Sequence, residues 1–348
     1  MKRRSFVQGA AAALGAPHLS GLAQQSVTLK FHTFMAPMSQ VWLTMHKPWM
    51  DKVERASGGR IRFEAYPAMQ LGGTPVQLYD QARDGVVDIV WTLPGYTAGR
   101  FPRIEVFELP FMMNDAEATS KALWAYVQTQ CPDEFKDTHV LTLNVHGPGT
   151  IHSVNKPVKS VADLKGMKLR GPTRQVTRLL GALGAIPVGM PLPQIPDALS
   201  KGAIEGCALP WEVVPSVKVQ ELTRFHSEFP ADHPALYTAT FVMTMNPARY
   251  DGLAPDLKRV LDENSGLAAS GWMGATQQGN DAVGRKSATD RGNTIHTFTP
   301  AQAQEFIRLS SAIDDEWVAD MDKRGFKGKA LLESAKALIA RHARPGKA

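Results

Sequence analysis

The sequence beyond its first 25 residues lacks a long apolar run and a strong charge bias. A membrane-spanning helix needs about 20 consecutive apolar residues, and no such run is present, so we expect the mature protein not to be embedded in a membrane. The formal charge is +6, and it falls to +3 without Lys2, Arg3 and Arg4 of the N-terminus. No basic run or basic-aromatic stripe accompanies this small excess, which argues against a nucleic-acid partner.

The sequence also lacks the short motifs of common enzyme classes. It contains no G-x-S-x-G elbow, H-E-x-x-H, C-x-x-C, G-x-x-x-x-G-K-[ST] or G-x-G-x-x-G. The stretch "HGPG" (146–149) is similar to an esterase oxyanion loop, but no nucleophile elbow accompanies it. We therefore predict a protein that is not an enzyme, with no catalytic residue, cofactor or bound metal. A secreted enzyme is the alternative from another class, and hydrolysis of a model ester would revive it.

Cysteine is scarce, with only Cys131 and Cys207 among 348 residues. Cys207 lies in the apolar run "GCALPW", which predicts a buried strand, whereas Cys131 stands at a predicted helix end before Pro132. These contexts favour two free thiols. The distance between the two cysteines does not follow from the sequence, so a disulfide between them is the alternative.

The first 25 residues have the composition of an export signal. Arg3 and Arg4 precede a weakly apolar Ala/Gly segment, and small residues at Gly21 and Ala23 fit a signal-peptidase site. The segment resembles a Tat signal peptide, and an ordinary Sec signal is the alternative. Either route predicts a periplasmic protein whose mature chain begins near residue 26.

Alternating and continuous apolar runs predict two α/β units. Strands at "VTLKFHTF" (27–34), "RIRFEAYP" (60–67) and "VVDIVWTLP" (86–94) are separated by helical patterns, which implies a parallel sheet covered by helices. A second series begins with strands at "THVLTLNVHGPG" (138–149) and "HSVNKPV" (152–158). Helical and strand patterns continue the second series to residue 211.

The end of the chain completes the fold prediction. The apolar strand "HPALYTATFVMTMN" (233–246) is expected to return to the first sheet, and a largely helical C-terminal third follows. Two α/β units joined by crossing strands describe a two-lobed protein of the α/β class. Ligands of such folds bind in the cleft between the lobes, at the carboxyl ends of strands.

Six stretches in order carry a family resemblance that covers essentially the whole mature chain. They are "YPAMQLGG" (66–73), "QLYDQARDGVVDIVW" (77–91), "FPRIEVFELPFM" (101–112), "SVADLKGMKLRGP" (160–172), "ALSKGAIEG" (198–206) and "MNPARYDGLAPDLKRVL" (245–261). The chain resembles the extracytoplasmic solute-binding proteins of TRAP transporters, the DctP-type family. The resemblance implies a two-lobed periplasmic-binding-protein-like fold with hinge strands and a long helix linking the lobes.

The division into lobes is predicted from this resemblance and the strand order. We expect a signal peptide at 1–25, lobe I at 26–147 plus 235–274, and lobe II at 148–234 plus 275–348.

The resemblance also gives Arg170 a role. In the family, the arginine of the K-G-x-K-[LI]-R motif binds the carboxylate of the solute, and here the motif reads "KGMKLR" (165–170). The chemistry fits, because a planar guanidinium donates two parallel hydrogen bonds to a carboxylate, which lysine cannot do. The alternative is an arginine at a strand end that points to solvent.

Departures from the family pattern concern the ligand. Where members that bind sugar acids carry a second Arg, a Glu and two Asn, this chain has Thr150, Leu93, Leu209 and Phe34 at or next to those places. A buried polar ligand group without a partner costs about 1–3 kcal/mol. The four changes therefore favour one carboxylate on an apolar or aromatic body, such as a 2-oxo or 2-hydroxy acid, over a polyhydroxylated solute.

Further residues are candidates for the ligand site. Trp91 and Trp211 join Phe34 as possible aromatic walls, and core packing is the alternative for each. His152 and Lys156 could replace the missing second arginine, and His32 could bind a 2-oxo or 2-hydroxy group; structural histidines are the alternative. Glu212 beside Trp211 would repel a carboxylate, so we expect its side chain to turn to solvent rather than to join a cation.

The predicted function is capture of a small organic carboxylate by closure of the lobes, followed by delivery to a TRAP membrane permease. We expect a monomer. A C4-dicarboxylate binder of the same family and a ligand-binding partner of a signalling receptor are the alternatives.

Overall fold

The structure, a computed structural model, describes residues 26–343. The predicted signal peptide at 1–25 lies outside the described residues. Within the described part of the chain, no helix combines the length and the apolar character needed to cross a membrane.

The first sheet has five strands in the order β2-β1-β3-β10-β4. The strands β1 and β2 pair in parallel, as do β1 and β3, whereas β10 runs antiparallel to β3 and β4. The prediction that the late apolar strand returns to this sheet is therefore confirmed. The strand bounds are β1 Val27–Thr33, β2 Ile61–Tyr66, β3 Ile89–Thr92, β4 His139–Val145 and β10 Thr240–Met245.

The second sheet has six strands in the order β11-β9-β5-β8-β6-β7. The strand β6, which contains Arg170, lies between β7 and β8 and is parallel to both. The strand β5 is antiparallel to β8 and β9. The strand bounds are β5 Gly149–Ser153, β6 Lys168–Gly171, β7 Ile186–Gly189, β8 Gly206–Pro210, β9 Phe225–Glu228 and β11 Thr294–Thr297.

The helices cover both sheets. Their ends follow the expected chemistry: α3 begins after Asp115, whose side chain accepts a hydrogen bond from the Ala118 N–H, and it ends at Cys131 before a proline. The helix bounds are α1 Lys47–Ala56, α2 Leu78–Arg83, α3 Ala116–Gln130, α4 Arg174–Ala182, α5 Ile195–Ser200, α6 Val219–Leu222, α7 Pro247–Asp251, α8 Pro255–Glu263, α9 Gly266–Gly279, α10 Asp281–Asp290, α11 Pro300–Ser310, α12 Ala312–Lys323 and α13 Gly328–His342.

Two details differ from the sequence prediction, and one agrees with it. The strand predicted at 152–158 lies instead at 149–153, because the chain leaves the sheet in a bend after Ser153. The strands β9 and β11 were not predicted. Both are four residues long, and β9 reads "FHSE", a sequence in which polar residues hide the strand signal. Cys131 and Cys207 are buried and unpaired, as their sequence contexts favour.

Connections between the two sheets meet at two hydrogen bonds. Residues 146–148 lead from β4 to β5, and residues 229–239 lead from β9 back to β10. The Gly149 N–H donates to the Tyr237 carbonyl at 3.0 Å, and the Thr238 hydroxyl donates to the His146 carbonyl at 2.8 Å. A side chain at Gly149 would overlap the Tyr237 ring, so these connections approach more closely than any other residue would allow.

A long helical rod, made of the consecutive helices α9 and α10, also connects the parts of the protein that contain the two sheets. The helix α9 packs on α3 and β4, and α10 packs on the residues Trp211–Val217 that follow β8. Asn280 between the two helices has helical backbone angles (φ −82°, ψ −7°), so the rod is nearly continuous. The rod corresponds to the linking helix that the resemblance implies.

Candidate ligand-binding site

A cavity lies between the two sheets. Residues that follow β1 and β3 and those at the start of β10 form one side of it. Residues on β6, on β8 and in the turn after β8 form the other side. The cavity therefore lies where the strands of both sheets end, the position at which α/β folds bind ligands.

Aromatic rings build the wall on the side of the first sheet. Trp91 and Phe241 are stacked, with ring centroids 4.2 Å apart and planes 9° apart, and Phe34 stacks on Trp91 at 5.7 Å. Leu93 adds aliphatic surface to this wall, and Leu192, Leu209 and Val213 add it to the opposite wall. Such walls offer stacking area and few polar partners, which suits a flat apolar body.

Arg170 is the cationic residue of this cavity. It is only 2% exposed, and its Nε and Nη1 donate to the carbonyls of Met190 (2.9 Å) and Ala208 (3.0 Å). Among the described residues, no carboxylate pairs with Arg170. A buried guanidinium that lacks a counter-charge is costly, and two fixed donors orient the plane of the remaining ones.

Two tyrosine hydroxyls lie near Arg170. The Tyr96 hydroxyl accepts a hydrogen bond from the Leu192 N–H at 3.1 Å, and among the described residues its own proton has no hydrogen-bond acceptor. The Tyr237 hydroxyl is buried and has no hydrogen-bond partner among the described residues. Burial raises the pKa of both tyrosines, and the nearby Arg170 charge partly opposes this rise. Both hydroxyls therefore remain protonated and act as donors.

The prediction for Glu212 was wrong. Glu212 lines the cavity and is 2% exposed, because α10 packs closely over the turn after β8 that carries it. Its Oε1 accepts a hydrogen bond from Gln277 Nε2 at 2.9 Å, while its Oε2 has no partner among the described residues. Burial raises the pKa of the Glu212 carboxyl to about 7.

Five of the nine predicted site residues line the cavity. These residues are Arg170, Phe34, Trp91, Leu93 and Leu209.

The other four predicted residues do not line the cavity. Trp211 turns away, because its indole N–H donates to Glu228 at 2.9 Å and its ring packs on His152. Thr150 lies opposite Leu209 on the neighbouring strand, and His32 donates to Gln81 Oε1 at 2.8 Å. Lys156, the companion proposed for His152, is exposed in a loop.

His152 belongs to a buried chain of hydrogen bonds instead. Its Nε2 lies 2.9 Å from the Leu209 carbonyl, and its Nδ1 lies 2.7 Å from His226 Nδ1. A carbonyl only accepts, so the Nε2 of His152 carries the proton and its Nδ1 accepts from His226. The Nε2 of His226 then faces the Asn293 amide at 3.0 Å as an acceptor. This chain is complete only when both rings are neutral.

The histidine pair predicts acid sensitivity. Burial lowers the pKa of His152 to about 4, and burial together with the His152 charge lowers that of His226 to about 2. Below pH 6.5 the unfolded chain binds protons that the folded chain excludes. Each ring therefore removes about 1.4 kcal/mol from the free energy of unfolding per pH unit between about 6.5 and 4.

Between pH 7 and pH 5, the free energy of unfolding of His226→Gln should fall by about 2 kcal/mol less than that of the wild type. Urea unfolding at both pH values measures the difference. His233→Gln, which changes a histidine in the loop before β10, is the matched control and should lose as much as the wild type. Equal losses in all three proteins would contradict this account.

Several cavity residues were missed by sequence reasoning. Tyr237, Ala239 and Phe241 all line the cavity, and they alternate along the segment that enters β10. That period of two was visible in "YTATF", because alternate residues of an extended segment share a face. Tyr96, His146 and Gln277 carried no such signal.

Within residues 26–343, no group of three or more histidine, cysteine or acidic side chains is arranged so that it could hold a metal ion.

The model of one protein family matches most of the chain. It is described as bacterial extracellular solute-binding protein, family 7, and it matches residues 32–320.

Three solved structures of solute-binding proteins are similar to this one. A TRAP solute-binding protein from Rhodoferax ferrireducens T118, in complex with copurified benzoate, is 68% identical with a TM-score of 0.91, over 91% of this chain and 98% of that one. A marine metagenome TRAP protein specific for aromatic acid ligands, with 3-hydroxybenzoate, is 46% identical with a TM-score of 0.90, over 92% and 100%. A Bordetella bronchiseptica TRAP protein with bound (R)- and (S)-mandelate is 26% identical with a TM-score of 0.83, over 91% and 100%.

Proposed function

This chain belongs to the bacterial extracellular solute-binding proteins of family 7, and from that premise we propose that it captures an aromatic monocarboxylate and delivers it to a TRAP membrane permease. We place this activity in the periplasm, in a monomer that carries out no catalysis. The relatives with benzoate, 3-hydroxybenzoate and mandelate support the ligand class, since each of these ligands joins one carboxylate to an aromatic ring.

The observation that carries the proposal is Arg170. It is a buried guanidinium without a carboxylate partner among the described residues, and it faces a cavity walled by aromatic and aliphatic side chains. A ligand carboxylate supplies the missing counter-charge and accepts two parallel hydrogen bonds. The protons of Tyr96 and Tyr237 are additional donors. We assign Phe34, Trp91, Leu93 and Leu209 to the surface that packs on the ligand ring.

The proposed mechanism is closure of two lobes. We infer that lobe I comprises residues 26–147 and 235–274, and that lobe II comprises 148–234 and 275–348. The first sheet falls within the former ranges and the second within the latter. The hydrogen bond from the Leu192 N–H to the Tyr96 hydroxyl then crosses the cleft and forms only on closure.

Closure strengthens ligand binding and hides the ligand. Phe34 and Leu192 line both the cavity and a wider groove at the surface, so their approach separates the two spaces. With water expelled, the attraction between Arg170 and the ligand carboxylate grows, because the local dielectric falls. The ligand thereby shifts the population toward the closed form that the permease would receive.

A thermal-shift panel on the mature protein tests this function. Benzoate, 3-hydroxybenzoate and mandelate are expected to raise the melting temperature by several degrees, because a ligand at a hundred times its Kd adds about 2.7 kcal/mol. Malate, succinate and gluconate are the controls and should cause no shift, since the aromatic walls leave their extra polar groups unpaired. A shift confined to these controls would overturn the ligand class and leave the family intact.

A further inference from the structure

The cavity contains a second polar group that the carboxylate of a ligand does not use. Glu212 Oε2 is buried, has no hydrogen-bond partner among the described residues, and belongs to a side chain that lines the cavity. Leaving a buried polar atom unpaired costs about 1–3 kcal/mol. A ligand that supplied a partner at this place would recover that free energy.

The position of Glu212 is fixed by a chain of side-chain hydrogen bonds. The Trp91 indole N–H donates to Asn144 Oδ1 at 3.2 Å, and the Asn144 amide donates to Gln277 Oε1. Gln277 Nε2 in turn donates to Glu212 Oε1 at 2.9 Å. This chain occupies one carboxyl oxygen and leaves the other for the cavity, so the free oxygen is held in place before a ligand arrives.

Glu212 and Arg170 line the same cavity. Among the described residues each has other partners: Arg170 donates to two backbone carbonyls, and Glu212 accepts from Gln277. The Arg170 charge lowers the pKa of Tyr237 and the Glu212 charge raises it. One ligand in the cavity can therefore meet a cation with its carboxylate and a carboxyl group with another part of its ring.

We propose that Glu212 hydrogen-bonds a hydroxyl group on the ring of the aromatic carboxylate that Arg170 holds, and thereby selects hydroxy-substituted ligands. This proposal rests on the proposed function, because it needs the carboxylate at Arg170. A hydroxyl fits better than a second carboxylate, which an ionised Glu212 would repel.

The hydrogen bond forms in either state of Glu212. An ionised carboxyl accepts the proton of the ring hydroxyl, and a protonated carboxyl donates to the hydroxyl oxygen. Burial brings the pKa of Glu212 to about 7, so both states are populated near neutral pH and neither abolishes the contact. A site built to bind a hydroxyl discriminates against an analogue that lacks it, because the site's own polar group stays unpaired.

Calorimetric titrations with five ligands test the proposal on the mature protein. The ligands are benzoate, 3-methylbenzoate and the 2-, 3- and 4-hydroxybenzoates. The methyl compound matches the size of its hydroxyl counterpart, so it separates hydrogen bonding from filling of the cavity. We expect at least one hydroxybenzoate to bind the wild type about tenfold more tightly than benzoate, and 3-methylbenzoate to show no such gain.

Variants of Glu212 and one control complete the experiment. Glu212→Leu should lose the preference for the hydroxybenzoate, measured as the ratio of its affinities for the hydroxybenzoate and for benzoate; Glu212→Met serves if the leucine variant does not fold. Glu212→Gln keeps a polar atom at this place and should retain at least threefold preference. Glu221→Gln changes an exposed glutamate and is the matched control.

The outcomes separate this proposal from the proposed function. Equal binding of benzoate and every hydroxybenzoate by the wild type would overturn the role of Glu212 while leaving capture of aromatic carboxylates intact. A preference that survives in the apolar variants would also overturn it. If no aromatic carboxylate bound the wild type, the proposed function itself would fail.

Discussion

Replacement of Arg170 by alanine is expected to weaken binding of aromatic carboxylates by more than a hundredfold. The variant leaves the ligand carboxylate inside an apolar cavity without a counter-charge, and removal of one partner of a buried ion pair costs about 3–5 kcal/mol. Isothermal titration of benzoate into the mature variant measures the effect. Arg170→Lys should also bind weakly, because an ammonium group cannot hold the Met190 and Ala208 carbonyls and bind a carboxylate in two places.

The stability of the Arg170 variant should change much less than its affinity. Alanine removes a costly unpaired charge but leaves two backbone carbonyls without donors, and these effects oppose each other. Arg249→Ala is the matched control, since this arginine is 41% exposed and pairs with Asp88 on the far side of the first sheet. A folded Arg170→Ala protein with an affinity within threefold of wild type would remove Arg170 from the site.

Replacement of Gly284 by alanine is expected to lower the free energy of unfolding by about 3 kcal/mol. Gly284 lies buried in α10, and a Cβ atom there would overlap the backbone carbonyl of Trp211. Backbone cannot move aside as a flexible side chain does, and overpacking of this kind costs about 1–3 kcal/mol or more. Urea unfolding of the ligand-free protein measures the loss. Affinity should also fall, because the displaced turn carries Glu212 and Val213 into the cavity wall.

Gly279→Ala is the matched control for this effect. Gly279 is exposed at the end of α9, and a Cβ atom there would meet nothing within 4 Å. Helix propensity alone favours alanine over glycine by up to about 1 kcal/mol. The two substitutions are chemically identical, so the expected outcomes have opposite signs. A Gly284→Ala protein as stable as the control would show that α10 does not pack closely on the turn after β8.

Much of the fold followed from local patterns. The period of apolar residues and the glycines or prolines at element ends placed the strands of the first sheet, because side chains of a strand alternate between two faces. The short strands β9 and β11 were not predicted, because four residues that include polar side chains are too few to show an alternation of apolar and polar residues. The segment of β9 becomes a strand because β5 offers an edge with unpaired backbone groups, and β11 forms because β9 then offers the next edge.

The candidate site was predictable where a motif or an alternation fixed the face of a strand. Arg170 came from the "KGMKLR" motif, and Trp91 and Leu93 follow one another at the period of two that places both in the cavity. Trp211 and Glu212 differ from the sequence prediction in position, since Glu212 lines the cavity and Trp211 does not. Sequence placed both after a strand, but only the packing of α10 turns the tryptophan toward His152 and buries the glutamate.

The sequence by itself therefore determined the class of fold, the buried cation and the apolar character of its surroundings. The tertiary structure alone decided which polar groups line the cavity: Tyr237 beside Arg170, and Glu212 at the end of a hydrogen-bond chain that begins at Trp91. The physical reason is the range of the forces involved. Alternation and capping act between neighbours in the chain, whereas the direction of a side chain in a turn depends on elements that arrive dozens of residues later.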